Sequence, residues 1–208
     1  MILWTGPASG RYDPVQDTWT SVSASNAPLL QDGQSVVWSG SEMIVWGGGF
    51  VNQGGRYDLA NDTWRPTSTQ SAPLGRLGHA AAWNGQVMII WGGATQQGAV
   101  LDTGGRYDPL TDTWRTMMRG GSPSARGQST AIWNGTEVIV WGGSNATTVL
   151  NTGALYNPAT NKWRAMTNVD APSPRSGYSA VGTGDSMIIW GGTDGQIVRR
   201  NGGRYFPQ

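Results

Sequence analysis

Few side chains in this sequence are equipped for chemistry, and most of them recur at fixed slots. His79 is the only imidazole and cysteine is absent. That excludes a thiolate nucleophile, a disulfide framework, a cysteine zinc site and a histidine metal cluster. No cofactor and no metal is therefore expected. A Ser-His-Asp relay would have to run through His79, and nothing in the sequence sets a nucleophile beside it. Thirteen of the 14 basic residues are arginine, Lys162 being the exception. A guanidinium offers a planar fork to carboxylates and carbonyls and stacks on rings. Arg76, Arg126 and Arg175 share one slot, seven residues before the end of a short apolar run, and Gln31 fills its fourth copy. Three residues further on stand Gln34, His79, Ser129 and Tyr178.

Carboxylates recur too, as Asp13/Asp17, Asp58/Asp62 and Asp108/Asp112, with Asn157 and Asn161 in the fourth copy. Calcium takes six to eight oxygens. Exchanging carboxylate for amide is harmless to a turn and costly to a metal site, so these residues are expected to cap turns. Charged residues make up 13% of the chain and the net charge is +1. Neither nucleic acid nor an anionic membrane is an expected partner on that balance, and no apolar run is long enough to span a bilayer. Nothing in the sequence sets a compartment.

The elements that position these residues form an internal repeat. Trp-Gly-Gly follows an apolar run at Trp46, Trp91, Trp141 and Trp190, and Trp4-Thr5-Gly6 is a weaker fifth copy. A Tyr follows each: Tyr12, Tyr57, Tyr107, Tyr156 and Tyr205. Seven residues after the first four come Trp19, Trp64, Trp114 and Trp163, and 19 after those come Trp38, Trp83, Trp133 and Gly182. Eight residues later the Trp of Trp-Gly-Gly returns. Only the gap from that Trp to the next Tyr varies, as 8, 11, 16, 15 and 15, so a fixed scaffold carries one free loop per repeat.

Each repeat reads as four strands, a to d. Strand a ends at Trp38, Trp83 or Trp133, and Asn84-Gly85 and Asn134-Gly135 then signal a hairpin, expected as a type I′ turn with positive φ at both residues. Strand b is a continuous apolar run, as in a strand buried on both faces. Strand c holds Gly-Arg-Tyr, and strand d the second Trp. Arg11, Arg56, Arg106 and Arg204 on c, with Arg65, Arg115 and Arg164 on d, read as outer-strand surface. Four short antiparallel strands per repeat make a propeller blade.

The glycine doublet, the Tyr beyond a variable loop and the Trp after that Tyr resemble the kelch repeat, in five copies over nearly the whole chain. The resemblance implies an all-β, kelch-like β-propeller of about five four-stranded blades. It also implies a binding platform, occasionally an enzyme. Kelch-type copper oxidases use a Cys-linked Tyr and His ligands, which this sequence lacks. The blades fall at 1–20 (partial), 35–65, 79–115, 127–164 and 177–206 (partial), within one domain over 1–208. The partial blades give 18 strands, the first lacking strand a and the last strand d. A ring with two incomplete blades, a piece of a longer propeller and a ring completed by a second chain all remain open, and exposed strand edges invite homo-oligomerisation.

All twelve Trp occupy repeat slots, so they read as packing between blades with their N–H groups partnered. Binding is left to the face shared by the b–c loops and d–a linkers. Its candidates are Arg76, Arg126, Arg175, Gln31, His79, Tyr178, Phe50, Gln53, Gln96, Gln97 and Asn145. Their amide-rich chemistry suits a protein segment or a glycan. Two other readings stand beside this one: a self-associating propeller fragment or engineered scaffold without a small ligand, and a sugar-active hydrolase, lyase or epimerase using His79 or Tyr178.

Overall fold

The computed structural model describes residues 1–207. The first sheet holds β1 (Ile2–Leu3), β2 (Gly10–Asp13) and β3 (Thr18–Ser21), with a 3-10 turn at Gly6–Ala8. The second holds β4 (Ser35–Trp38), β5 (Glu42–Trp46), β6 (Gly54–Asp58) and β7 (Thr63–Pro66). The third holds β8 (Ala80–Trp83), β9 (Met88–Trp91), β10 (Gly104–Asp108) and β11 (Thr113–Thr116). The fourth holds β12 (Thr130–Trp133), β13 (Val138–Trp141), β14 (Gly153–Asn157) and β15 (Lys162–Ala165). The fifth holds β16 (Ser179–Gly182), β17 (Met187–Trp190) and β18 (Gly202–Tyr205). Each is an antiparallel meander, and together they form a five-bladed β-propeller with three-stranded end blades. The sequence spacing predicts these 18 strands.

Register repeats from blade to blade. Tyr12 pairs Trp19, Tyr57 pairs Trp64, Tyr107 pairs Trp114 and Tyr156 pairs Trp163 across strands c and d. Strand b is buried throughout in β9 and β13. The glycine doublets that end strand b have positive φ, 72° and 93° at Gly92 and Gly93, where only glycine is unstrained. A Cβ on Gly93 would also stand 2.9 Å from the Leu77 carbonyl oxygen.

The a–b hairpins differ from expectation. Trp83 pairs Met88, so the loop has four residues, and of Asn84 and Gly85 only Gly85 has positive φ. The Asn84 side chain shapes the turn by accepting from the Gln86 and Val87 amides. An Asx turn therefore replaces the type I′ geometry.

The core lies between blades. Four apolar clusters join neighbouring sheets, each pairing strand-b residues of one blade with the next. Trp4 packs on Trp64 at 4.5 Å, Trp46 on Trp114 at 5.2 Å and Trp91 on Trp163 at 5.5 Å. Trp64, Trp114 and Trp163 donate their indole N–H to Ser23, Ser68 and Met118 carbonyls of the preceding linker. The Trp4, Trp46 and Trp91 indole nitrogens have no such partner, so ring packing alone holds those side chains. Among the described residues no core cluster joins the first sheet to the fifth. The same strand-b slot is 0% exposed at Trp46 and 62% exposed at Trp190, and Trp19 on the first blade is 53% exposed.

Candidate functional site

Because each sheet is a meander, b–c loops and d–a linkers emerge on one face. Bridges Leu77–Ala94, Gly127–Ser144 and Ser176–Thr193 tie each linker to the loop of its own blade. The phased arginines sit under these bridges. Arg76, Arg126 and Arg175 are each 1% exposed. Arg126 donates through Nε to the Ser124 carbonyl at 3.0 Å, and through one terminal nitrogen to the Gly142 and Thr152 carbonyls at 3.1 and 2.6 Å. Its other terminal nitrogen donates to Thr152 Oγ1 at 3.1 Å. Arg76 binds Leu74, Gly92 and Thr103 in the same way, and Arg175 binds Ser173, Gly191 and Asn201. Each guanidinium closes both ends of a b–c loop.

The backbone of the same residues reaches the neighbouring blade, since Gly48, Gly93 and Gly143 donate to the carbonyls of Arg76, Arg126 and Arg175. Burial lowers the Arg76 and Arg126 pKa to about 10, so both stay charged at neutral pH. Burial and the nearby Arg199 cation lower that of Arg175. These arginines position the loops from below. Gln31, in the same slot, lies over Gly49 without the fork.

His79 and Tyr178 are wedges between blades. The His79 ring stands edge-on to Trp46 at 5.3 Å and its Nε2 shares a hydrogen bond with Ser35 Oγ at 2.9 Å. A hydroxyl does therefore lie beside His79, contrary to the sequence expectation. Among the described residues no carboxylate pairs with the other ring nitrogen, Nδ1, which is buried. Ser35 Oγ also lies 3.3 Å from the Trp46 carbonyl. Tyr178 repeats the arrangement, its ring 5.4 Å from Trp141 and its hydroxyl donating to the Trp141 carbonyl.

Burial, then the Arg76 charge, lowers the His79 pKa to about 4. The unfolded chain therefore binds a proton at His79 between pH 6.5 and 4 that the folded chain does not. Stability from this residue is complete above pH 6.5 and declines as pH falls towards 4, by at most about 1.4 kcal/mol per pH unit. His79→Gln, which copies the Gln34 slot, is expected to flatten that decline. Chemical unfolding at pH 7 and pH 5 reads it, and equal losses in both proteins would contradict the assignment.

The remaining candidates lie at the loop surface. Phe50 is 36% exposed with φ of 62°, and its carbonyl lies against Gly75, next to the exposed Leu74. Gln53 lines a 690 Å³ cavity with Pro28, Leu29, Thr69 and Gln70. Gln96 and Gln97 are exposed at the tip of a loop closed by the Thr95 amide on the Ala99 carbonyl. Asn145 is half-buried and its Oδ1 accepts from the Thr147 and Thr148 amides, so it shapes its own loop.

The arginines read as outer surface include clamps that the spacing did not reveal. Arg11, Arg56 and Arg106 donate to the Leu59, Pro109 and Pro158 carbonyls of the next blade. The Asp-x-x-x-Asp residues do cap turns, with Asp58 Oδ1 accepting from the Ala60 and Asn61 amides. The second carboxylate does more: Asp62 Oδ1 accepts from the Tyr57 hydroxyl and from the Ser23 amide of the preceding linker.

Meander sheets packed face to face through phased aromatics, with variable loops gathered on one side, define a β-propeller with a single loop face. The KLHDC2/KLHL20/DRC7 Kelch-repeats domain matches residues 33–201, and the chain belongs to the kelch-repeat family. No curated protein matches it.

Proposed function

We propose that this propeller is a non-catalytic binding module whose loop face takes a protein segment. Kelch propellers typically serve protein interaction. The observation that carries the reading is the apolar surface of that face. Leu29, Leu30 and Leu74 on the d–a linkers are 81%, 50% and 68% exposed, and Phe50 crosses beside Leu74. Exposed apolar side chains gathered on one loop face fit a partner surface. Exposed Gln53, Gln96 and Gln97 supply amide groups suited to a peptide backbone. An acid–base role for His79 or Tyr178 fits poorly. Their pKa values, about 4 and about 12, lie on either side of the neutral range where proton transfer is efficient.

Affinity capture with the immobilised chain, then calorimetry with the captured protein, tests the reading. Phe50→Asp combined with Leu74→Asp is expected to weaken binding at least about tenfold. Leu110→Asp, on a c–d turn of the opposite face, is expected to leave it unchanged. Equal behaviour of the two variants would overturn the reading.

A second reading, head-to-tail association of copies, has one observation in its favour. The exposed Trp190 and Trp19 occupy the two slots that pack on one another between neighbouring blades. Setting the fifth sheet of one copy against the first sheet of another would make a heterologous contact.

A further inference from the structure

On the face opposite the variable loops, a cavity of 690 Å³ opens between the third and fourth blades, within the size range of small-molecule sites. Its wall includes Arg106, Arg115, Val87, Trp133, Asn84 and Asn157. Arg106 and Arg115 are cross-strand partners on β10 and β11, so both project from one face of the sheet.

The repeat supplies its own control. The position before the first residue of the Met-Ile-Val type of run holds Glu42 in the second blade and Glu137 in the fourth. Glu42 lies 3.8 Å from Arg56, and Glu137 2.6 Å from Arg164. In the third blade the same slot is Val87. Among the described residues Arg106 and Arg115 have no ion pair. Arg106 gives one terminal nitrogen to the Pro158 carbonyl at 2.8 Å, and its Nε is buried without a partner.

The rest of the wall is donor-rich as well. The Asn84 and Asn157 oxygens already accept from backbone amides of their own turns, which leaves their amide nitrogens as donors. Asp108 is the one acid of the lining, and its Oδ1 accepts from the Leu110 amide. Two cations, free amide donors and a half-buried Trp in the wall fit an anion carried on a ring. We propose that this cavity binds a carboxylated sugar, with Arg106 and Arg115 holding the carboxylate and Trp133 under the sugar ring.

Glucuronate is the probe and glucose its uncharged control, by calorimetry on the intact chain. The wild type is expected to bind glucuronate at concentrations up to about 10 mM, and more weakly as salt rises. Glucose is expected to show no binding. Arg115→Gln, a change at an exposed residue, is expected to weaken glucuronate at least about tenfold. Val87→Glu, which places there the acid of the second and fourth blades, is expected to do the same. An unchanged circular dichroism spectrum certifies the fold of each variant. Absence of glucuronate binding in the wild type, equal binding of glucose, or unchanged binding in Arg115→Gln would each overturn the proposal.

Discussion

Arg126→Ala is expected to cost about 3–5 kcal/mol of stability, as for other buried polar groups whose network is broken. The side chain is 1% exposed and makes five hydrogen bonds to Ser124, Gly142 and Thr152. Removing it leaves three carbonyls of those residues without this donor and opens a guanidinium-sized void between loop and linker. Lysine has one compact ammonium and cannot span both loop ends, so Arg126→Lys is expected to recover only part of the loss. Arg119→Ala is the contrast. Its ion pair with Asp102 is short, at 2.6 Å, but Arg119 is 66% exposed, so the loss is expected to stay below about 1 kcal/mol. Urea unfolding measures all three. A loss of about 1 kcal/mol or less for Arg126→Ala would contradict the reading of the phased arginines as internal clamps.

The second large effect separates two residues that the sequence makes look alike. Trp91 and Trp190 hold the same slot in Trp-Gly-Gly, yet Trp91 is 1% exposed and Trp190 is 62% exposed. Trp91→Ala removes a ring packed on Trp163 and is expected to cost about 3–5 kcal/mol. Trp190→Ala, which has little contact to lose, is expected to cost less than about 1 kcal/mol. Sedimentation of the Trp190 variant adds a second readout. If copies associate head to tail, the wild type is expected to gain mass with concentration and the variant to stay a monomer. Similar stability losses in the two variants would contradict the blade packing, and a wild type that stays monomeric would remove the association reading.

The fold was largely legible because its determinants repeat. The intervals 7, 19 and 8 locate strands a, b, c and d, since each aromatic is fixed by the blade beside it. The site was less legible. The phase of Arg76, Arg126 and Arg175 gives their position along the strand path and says nothing about inward or outward direction. A ligand cluster and a backbone clamp leave the same period. A second signal was present: Thr103, Thr152 and Asn201 each stand immediately before the first glycine of strand c, and each accepts from its arginine. Phased acceptors matched to phased donors mark an internal contact. The clamps from Arg56 and Arg106 to carbonyls 53 and 52 residues away were hidden because backbone carbonyls have no sequence signature. The hydroxyl beside His79 was hidden for another reason: Ser35 stands 44 residues away, on strand a of the preceding blade, and spacing alone does not show which residues meet between blades.

The arginine clamp is what fixes the b–c loop bases of the third, fourth and fifth blades from within and leaves their tips free to vary. Hydrogen exchange on wild type and Arg126→Gln tests it most directly. Arg126 closes the loop 144–152, whose base is held by the Gly142 amide on the Thr152 carbonyl and the Leu150 amide on the Gly143 carbonyl. The loop 94–103 is closed by Arg76, with the Gly92 and Leu101 amides in the matching places. In the wild type all four amides are expected to exchange far more slowly than those at the tips, Gln97 and Thr147. In Arg126→Gln, Gly142 and Leu150 are expected to lose that protection while Gly92 and Leu101 keep theirs. Protection unchanged at Gly142 and Leu150 would contradict the clamp.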